Sequence, residues 1–485
     1  MFNKQNIKLE IIRRTALYGL MSIAAIVITL FLLAVALGYR FNRGSGTLEQ
    51  SALVQFKTVP SGATINIDGM TIGSTTPTKY GVTPKIHKFE MIKKGYVSWT
   101  KDLNTKSGNL YWLDYPILVP KNLEIKEIFS YQNLESSLPS PDNRYILLQK
   151  NIKDTNFELI DLRSEEPNIK NLNIPPALLN FPNKENAIFK ISSWDDGGRY
   201  VLISADLKDK TYWISIDTRS VEKSQNITNL VGNNFKELKF GDTSGNILYG
   251  ITDKSELKRI NLDSQEKLKT ISLNTESYKL FDNKWVFFVS RYTENNSGMY
   301  SLGLYRDGEE SPTTIYSSSK SNDIVDIAGG RYKGTDFIAI LRNSIVEIWG
   351  GNFPNYGDKL EDKMTKTDTL NALANLTEMS FSPKSDYLLL QFGSEFGFYY
   401  FEHDIKGSFS IPGQVSAVKW FNDDYIYSNN QGSLVIREFD GSNSNNIMQS
   451  LNDQAVVYSQ DAKYIYAFQK NNTTYGLYRA KMIVD

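Results

Sequence analysis

The hydrophobic pattern divides the chain into one long apolar run and a much longer region of short alternating segments. The run covers residues 15–39 (TALYGLMSIAAIVITLFLLAVALGY) and contains no charged residue. As a helix it would be about 37 Å long, enough to cross a hydrocarbon core of about 30 Å. The pattern therefore predicts a transmembrane helix at residues 15–39, with the membrane as a partner of the chain.

The charges beside this run predict its orientation. Four basic residues precede the run and two follow it within residues 1–43, where Glu10 is the one acidic residue. The positive-inside rule predicts a cytoplasmic tail at residues 1–14 and an extracytoplasmic bulk, in a single-pass protein of the cell membrane. The sequence Ala34-Val35-Ala36 leaves a cleaved signal peptide open as the alternative. A secretory apolar region usually has about 7–15 residues, so the longer run favours an uncleaved signal-anchor.

The region after the run begins with a short polar segment and a small β domain. Residues 40–51 are small and polar and predict a flexible tether. In residues 52–121, Val54 and Phe56 alternate with polar residues, as in a strand with one buried face. Asp68-Gly69 predicts a tight hairpin turn, because glycine supplies the positive φ that such turns require.

The order of motifs in this domain resembles the PEGA domain, a small β-sandwich of prokaryotic surface proteins. The matching residues are 59–63 (VPSGA), 67–69 (IDG), 72–77 (IGSTTP) and 93–96 (KKGY). Two features depart from the family: its Gly-x-Thr-Pro has an extra residue here, and its later Pro-Gly turn reads Pro84-Lys85. The resemblance implies an extracytoplasmic domain for presentation or binding, with no established catalytic residues.

Residues 122–485 repeat one unit, in which an apolar strand, a short polar turn and two further strands follow each other. Clear copies of the turn lie at 140–148, 194–202, 381–389 and 459–466, and weaker copies at 241–249, 281–289, 329–340 and 421–427. A spacing of about 45 residues is typical of a four-stranded propeller blade. The turns resemble the Ser-Pro-Asp-Gly-Lys repeat of TolB-like and WD-related propellers. The resemblance implies a β-propeller. The eight copies predict eight blades, or seven if one weak copy merges with its neighbour, and with the preceding segments they predict a mainly β fold class.

Two irregular stretches of the repeat region carry further predictions. Residues 122–129 precede the first copy, and we expect them to pair with the last strand, 474–480, so that no sheet edge stays exposed. Residues 352–377 interrupt the rhythm with dense charge and a helix-like apolar spacing. They predict an insertion on one face of the propeller, more often a solvated excursion than a binding loop.

Candidate chemistry is sparse. The absence of cysteine excludes disulfides and thiolate metal sites. His87 and His403 lie in separate domains, so we expect each to be structural or at the surface and neither to be a metal ligand or general base. The loop 440–446 offers oxygen ligands but lacks the spacing and terminal Glu of a calcium loop. The sequence therefore predicts no catalytic, cofactor-binding or metal-binding residue.

Asp195-Asp196 is the one candidate for the paired carboxylates of a glycosidase. In the repeat alignment Asp196 is assigned to the turn position of Asp142 and Asp461, where an Asx turn is the ordinary explanation. Tyrosines recur at one position of the four clear copies, which predicts core residues more than sugar platforms. They are Tyr145, Tyr200, Tyr387 and Tyr464.

Charge and motifs together favour a binding function. Residues 1–43 carry a net charge of +5, so the rest of a chain with zero formal charge carries −5, which argues against nucleic-acid binding. We expect a membrane-anchored binding or scaffold protein that presents its propeller to an unidentified envelope protein or glycan. The alternative is a glycan-active enzyme with acidic residues at the propeller channel; a ring of inward-facing carboxylates would favour it.

Overall fold

The computed structural model describes residues 4–36, 38–42, 47–294, 297–318, 325–371, 376–413 and 418–484. The chain divides into two compact units. The first unit contains Met1–Asn122 and Ile483–Asp485, and the second contains Leu123–Met482.

The apolar run lies in helix α1, Lys4–Ala36. The segment Ile12–Val35 of this helix is 24 residues long and contains an 18-residue window with a mean hydropathy of 2.4, so it is long and apolar enough to cross a membrane. The helix ends at Ala36, three residues before the predicted end. Gly38 ends it, because its φ is +81° and its N–H donates to the Val35 carbonyl at 3.0 Å.

The predicted flexible tether contains paired strands. Strand β1 (Tyr39–Asn42) is antiparallel to β2 (Thr47–Gln50), and residues 43–46 lie outside the described residues. The N–H and Oγ of Ser51 both donate to the Gly38 carbonyl, at 2.9 and 2.8 Å. These bonds attach the end of the helix to the residue before the first strand of the small β domain.

The small β domain consists of two sheets. Its strands are β3 (Ala52–Phe56), β4 (Thr64–Ile67), β5 (Met70–Thr75), β6 (Thr78–Val82), β7 (Ile86–Ile92), β8 (Trp99–Asn104) and β9 (Leu110–Leu113). One sheet has the order β6-β3-β9, with β3 parallel to β9, and the other has the order β5-β4-β7-β8. Alternate residues of β3, Val54 and Phe56, are buried with Phe89 of the second sheet in one core. The predicted alternation is confirmed.

The turn at Asp68-Gly69 is also confirmed. Ile67 pairs with Met70, and both intervening residues have positive φ, +53° and +81°. This two-residue turn matches the right-handed twist of the flanking strands.

The second unit contains, in its described residues, eight sheets of four antiparallel strands each. Strand β10 (Ile125–Tyr131) comes first in the chain. Sheet 1 is β11 (Ser136–Pro139), β12 (Tyr145–Gln149), β13 (Asn156–Asp161) and β14 (Asn168–Asn173). Sheet 2 is β15 (Ile188–Trp194), β16 (Tyr200–Asp206), β17 (Thr211–Asp217) and β18 (Gln225–Asn226). Sheet 3 is β19 (Phe235–Phe240), β20 (Ile247–Thr252), β21 (Leu257–Asn261) and β22 (Leu268–Ser272).

The remaining sheets follow the same plan. Sheet 4 is β23 (Thr275–Phe281), β24 (Trp285–Glu294), β25 (Ser297–Arg306) and β26 (Thr313–Ser318). Sheet 5 is β27 (Val325–Tyr332), β28 (Thr335–Arg342), β29 (Ile345–Gly351) and β30 (Met364–Asn371). Sheet 6 is β31 (Glu378–Phe381), β32 (Tyr387–Phe392), β33 (Glu395–Tyr400) and β34 (Ile405–Ser410). Sheet 7 is β35 (Lys419–Trp420), β36 (Tyr425–Asn430), β37 (Ser433–Glu438) and β38 (Asn445–Gln449).

The last sheet closes the unit. Sheet 8 is β39 (Val456–Tyr458), β40 (Tyr464–Asn471) and β41 (Thr474–Lys481), and its fourth strand is β10, which pairs with β41. The predicted pairing of the two ends is confirmed. Sheet 8 also contacts sheet 1: Ser137 Oγ donates to Gln454 Oε1 at 2.8 Å, and the Tyr464 hydroxyl donates to Glu165 at 3.1 Å. Consecutive four-stranded sheets that close in this way form a β-propeller.

Short helices connect some of these strands. They are α2 (Ile227–Val231), α3 (Leu360–Lys363) and the 3₁₀ turns Pro176–Leu179, Lys184–Asn186 and Val221–Lys223.

The prediction of a solvated insertion at residues 352–377 is wrong for most of its length. Met364 to Asn371 form β30, the fourth strand of sheet 5. The loop before β30 buries Phe353 and Leu360 in the core between sheets 4 and 5, where Phe353 lies 5.0 Å from the Trp285 ring. Among the described residues of this stretch, α3 (Leu360–Lys363) is the one helix. Residues 372–375 lie outside the described residues.

Candidate functional site

The first strands of sheets 2 to 6 line one cavity of about 490 Å³. First strands of neighbouring sheets also contact each other, so the first strand of each sheet is the inner strand of the ring. The cavity lies where the inner strands end in their turns. Trp194, Phe240, Phe281 and Phe381, the last residues of four inner strands, contribute to its wall.

The inner strand of sheet 5 contributes small residues to the cavity wall. Ala328 and Gly329 line the wall, and Gly330 follows. A Cβ at Gly329 would lie 2.0 Å from the Phe287 ring, and one at Gly330 would lie 2.4 Å from Phe381. Both glycines are therefore fixed by close packing of aromatic rings against the strand.

Most charged groups of the wall are held in ion pairs. The pairs are Lys239 with Glu237 (2.6 Å), Lys279 with Asp326 (2.5 Å) and Asp282 with Arg331 (2.9 Å). Lys279 Nζ also donates to the Met379 carbonyl at 3.0 Å. The wall is thus polar and of mixed charge, with the rings between the pairs, and it is not the ring of carboxylates that would favour an enzyme.

Glu378 is the carboxylate of the wall with a raised pKa. Its side chain is exposed and lines the cavity. Desolvation raises the pKa of Glu378, and the charges of Lys279 and Lys419 oppose this effect. The sequence did not single out this residue. The signal that could have led to it is the position of Glu378 at the start of the inner strand before the clear turn copy at 381–389.

The turns of the repeat share a hydrogen-bond pattern. In sheet 1, Ser140 Oγ donates to Asp142 Oδ1 at 2.7 Å and accepts the N–H of Tyr145 at 2.9 Å. In sheet 8, Ser459 repeats both bonds with Asp461 and Tyr464 at the same two distances. The side chains therefore close these turns from within and explain why the copies are visible in the sequence.

The alignment of Asp196 with Asp142 and Asp461 is wrong. Asp195 takes the place of Ser140, because its Oδ1 accepts the N–H of Tyr200 at 2.6 Å and that of Arg199 at 2.7 Å. Its Oδ2 accepts the N–H of Gly197 at 3.1 Å, and the side chain is fully buried. Asp196 is exposed and lines the cavity. The two carboxylates thus have separate surroundings and do not face each other as a catalytic pair.

The recurrent tyrosines connect neighbouring sheets. Each is the first residue of a second strand, and Tyr387 and Tyr464 are buried, as predicted, whereas Tyr145 and Tyr200 are half-buried. The Tyr387 hydroxyl in sheet 6 donates to Asp424 of sheet 7 at 3.1 Å. The position therefore serves contact between sheets more than ligand stacking.

A carboxyl pair lies beside Tyr387. Burial, the hydrogen bond with Asp423 and the charges of Asp423 and Asp424 raise the pKa of Asp386 to about 8, and Lys384 opposes this effect. Asp423 is itself buried and accepts the N–H of Lys384 at 2.8 Å. The pair joins the turns of sheets 6 and 7.

Neither histidine lines this cavity. His87 is buried in the small β domain, with Nδ1 2.9 Å from Asp68 Oδ2 and Nε2 2.7 Å from the Thr83 carbonyl. His403 is half-buried, and its ring meets the edge of Tyr400 at 5.2 Å. Both contacts are structural in kind.

The loop 440–446 uses its oxygens internally. Ser442 Oγ donates to Asp440 Oδ1 at 2.6 Å, and Asn443 donates to Glu438 Oε1 at 2.8 Å. Within the part of the chain that the structure describes, no three His, Cys, Asp or Glu side chains come together as a metal site would require.

Comparison with known proteins identifies the family of the small β domain but gives no function for the chain. Residues 52–119 match the family model described as PEGA domain. No curated protein matches the chain in sequence.

Several solved propeller structures are similar to the chain at low identity. The Myceliophteria thermophila Cps50 (Swd1) β-propeller domain is 8% identical, with 74% of this chain and 99% of that chain covered and a TM-score of 0.39. The tricorn protease is 10% identical, with 74% and 38% covered and a TM-score of 0.44. Kluyveromyces lactis Hsv2 is 10% identical, with 71% and 97% covered and a TM-score of 0.37. The family match and the eight four-stranded sheets together show a PEGA domain at residues 52–119, followed by a β-propeller.

Proposed function

We propose that the chain is a membrane-anchored extracytoplasmic binding protein that presents its propeller to an envelope protein or glycan. The observation that carries the proposal is the cavity that five inner strands share. Such a concave site with apolar rings and a few fixed polar groups is the usual form of a binding pocket. The eight sheets support eight blades, and the two compact units support a propeller separate from the residues before it. Within the first unit we propose a tail at 1–14, an anchor at 15–39, a connecting segment at 40–51 that contains the β1–β2 pair, and a PEGA domain at 52–121.

The apolar side chains of α1 support the anchor. Those described are exposed, with Phe31 at 65% and Leu20 at 69%, a surface suited to lipid. The basic residues before the run support a cytoplasmic N-terminus. The helix would hold the PEGA domain at the membrane surface, and the propeller would follow it on the same side.

The binding proposal is tested by capture of partners on the tagged, detergent-solubilised chain. We expect a saturable envelope protein or glycan to be captured by the natural chain and lost with Glu378→Lys, which places a cation between Lys279 and Lys419. Glu395→Lys is the matched control, because Glu395 is exposed in the same sheet outside the cavity wall. Equal capture by both variants would show that the cavity is not the site, and absence of any saturable partner would contradict the binding function.

A glycan-active enzyme is the second candidate. Three carboxylates, Asp196, Asp282 and Glu378, line the cavity, and the raised pKa of Glu378 would suit a general acid. Release of soluble sugars from envelope glycan by the natural chain, lost with Glu378→Gln while capture persists, would favour this candidate. Capture without release would favour the binding protein.

A further inference from the structure

The sheet β6-β3-β9 of the first unit presents an apolar outer face. Ala52, Val54 and Phe56 point into the core, so Leu53 points outward on β3. Leu110 lies beside Leu53 in the parallel register, and Trp112 lies two residues further along β9 on the same face, beside the half-buried Gln55 of β3. Leu53 is 40% exposed, Trp112 is 37% exposed and Leu110 is half-buried. Nothing described in the first unit covers these three side chains fully.

This face lies beside the point where α1 ends. The Gly38 carbonyl accepts two hydrogen bonds from Ser51, and the Ser51 carbonyl accepts the N–H of Gly108 at 3.2 Å. Leu53 follows Ser51 by two residues, and Leu110 follows Gly108 by two, so each lies roughly 7 Å along its strand from these bonds. The bonds therefore hold the apolar face close to the end of the membrane-spanning segment.

Charges at the rim match a lipid surface. Lys57 and Lys79 are exposed and lie on the same outer face by strand alternation, and Lys106 is exposed in the turn before β9. Asp114, half-buried, is the acidic residue of the face. Tryptophan and leucine with a rim of lysines are suited to the boundary between anionic headgroups and acyl chains.

We propose that the outer face of the β6-β3-β9 sheet rests on the headgroup region of an anionic membrane, with Leu53, Leu110 and Trp112 at its centre. The inference rests on the proposed anchoring by α1 and adds an orientation: the PEGA domain lies on the bilayer along this sheet. The membrane end of the chain would then be fixed by two contacts instead of a single helix.

The test uses the natural lack of cysteine. Single nitroxide labels at Leu53→Cys and Trp112→Cys of the full chain in phosphatidylcholine–phosphatidylglycerol nanodiscs report collision rates with oxygen, which enriches in lipid, and with a water-soluble nickel chelate. We expect the oxygen-to-nickel ratio at both positions to be several-fold higher than at Met70→Cys. Met70 is the matched control, because it is 72% exposed on the other sheet of the same domain.

A third label separates this inference from the anchoring. Ser22→Cys lies within the apolar segment of α1 and reports whether the helix is in lipid. If Ser22→Cys is in lipid while Leu53→Cys and Trp112→Cys match Met70→Cys, the inference is wrong and the anchoring stands. If Ser22→Cys contacts the nickel chelate freely, the anchoring fails and the inference with it. Low collision with both reagents at positions 53 and 112 would show burial against protein and would also overturn the inference.

Discussion

Asp195 shows how one side chain can close a turn. Its carboxylate accepts three backbone N–H groups in a fully buried position. Each buried donor left without a partner costs about 1–3 kcal/mol, so Asp195→Ala, which removes the acceptor of three N–H groups, should lower the free energy of unfolding by about 3 kcal/mol or more. Five of the seven tryptophans lie in the propeller, so their fluorescence in urea reports its unfolding.

Two variants make this prediction specific. Asp195→Ser should cost less than Asp195→Ala, because serine fills the same position in sheets 1 and 8. Asp196→Ala should leave the midpoint unchanged, because Asp196 is exposed. Equal loss in the alanine variants of both aspartates would contradict the account of the turn.

The Asp386–Asp423 pair predicts a pH dependence of propeller stability. The pKa of Asp386 is about 8 in the folded chain against an ordinary value of 3.8. A group with a raised folded pKa binds protons more tightly in the folded state, so its stabilisation is present below about pH 4 and is lost as the pH rises through about 8. Asp386→Asn should therefore raise the urea midpoint of the propeller at pH 8 more than at pH 5.

The control for this prediction is the same substitution at an exposed site. Asp253→Asn should give a difference from the natural chain that does not change between pH 5 and pH 8. A constant effect of Asp386→Asn over the same range would show that the carboxyl pair does not take up a proton.

At the scale of the residue, the sequence was informative where a side chain forms hydrogen bonds within its own turn. Ser140, Asp142 and Tyr145 lie within six residues of each other, so their pattern is visible in the chain. It failed where partners come from elsewhere: Asp423 bonds the N–H of Lys384 from the next sheet, and Glu378 acquires its surroundings from three sheets. The error at Asp196 arose because Asp195 occupies the turn position that Ser140 has in sheet 1. Both side chains accept the N–H of the tyrosine five residues later, and a comparison of residue types does not reveal this equivalence.

At the scale of the element, β27 depends on glycine. The Gly329 strand position has no room for a Cβ, which would lie 2.0 Å from the buried Phe287 ring. Overpacking of a filled core costs about 1–3 kcal/mol, so Gly329→Ala should destabilise the propeller by that amount in urea.

Gly397→Ala is the matched control for this strand. Gly397 is also a strand glycine, but its nearest Cβ neighbours lie at 3.7 Å or more, which is ordinary contact. It should be neutral or slightly stabilising, since alanine has less backbone entropy to lose on folding. Equal effects at the two positions would contradict the packing argument.

Strands were predicted well where buried and exposed residues alternate along the chain. Loops that bury apolar side chains were predicted less well. The predicted alternation at Val54 and Phe56 is present in β3, because it depends only on neighbouring residues of one strand. The stretch 352–377 was misassigned because Phe353 and Leu360 pack against sheets 4 and 5, a contact that no local pattern shows. The helix end was missed by three residues because Gly38, inside the apolar run, turns the chain.

At the scale of the whole molecule, the closure of the propeller was predictable and the cavity was not. The pairing of β10 with β41 was predictable from two features of the sequence. One strand precedes the first copy of the repeat, and the last copy lacks an outer strand. The cavity depends on side chains from five sheets whose relative placement follows from assembly, so the sequence named none of its central residues, such as Lys279 and Glu378.

The central claim is that the helix anchors the propeller outside the cytoplasm. A chain without natural cysteine allows a direct test with Ser244→Cys, in an exposed propeller turn, and Gln5→Cys, in the predicted cytoplasmic tail. A membrane-impermeant maleimide added to intact cells should label Ser244→Cys, and it should label Gln5→Cys only after the membrane is permeabilised. Labelling of Gln5→Cys in intact cells, with Ser244→Cys protected, would contradict the account.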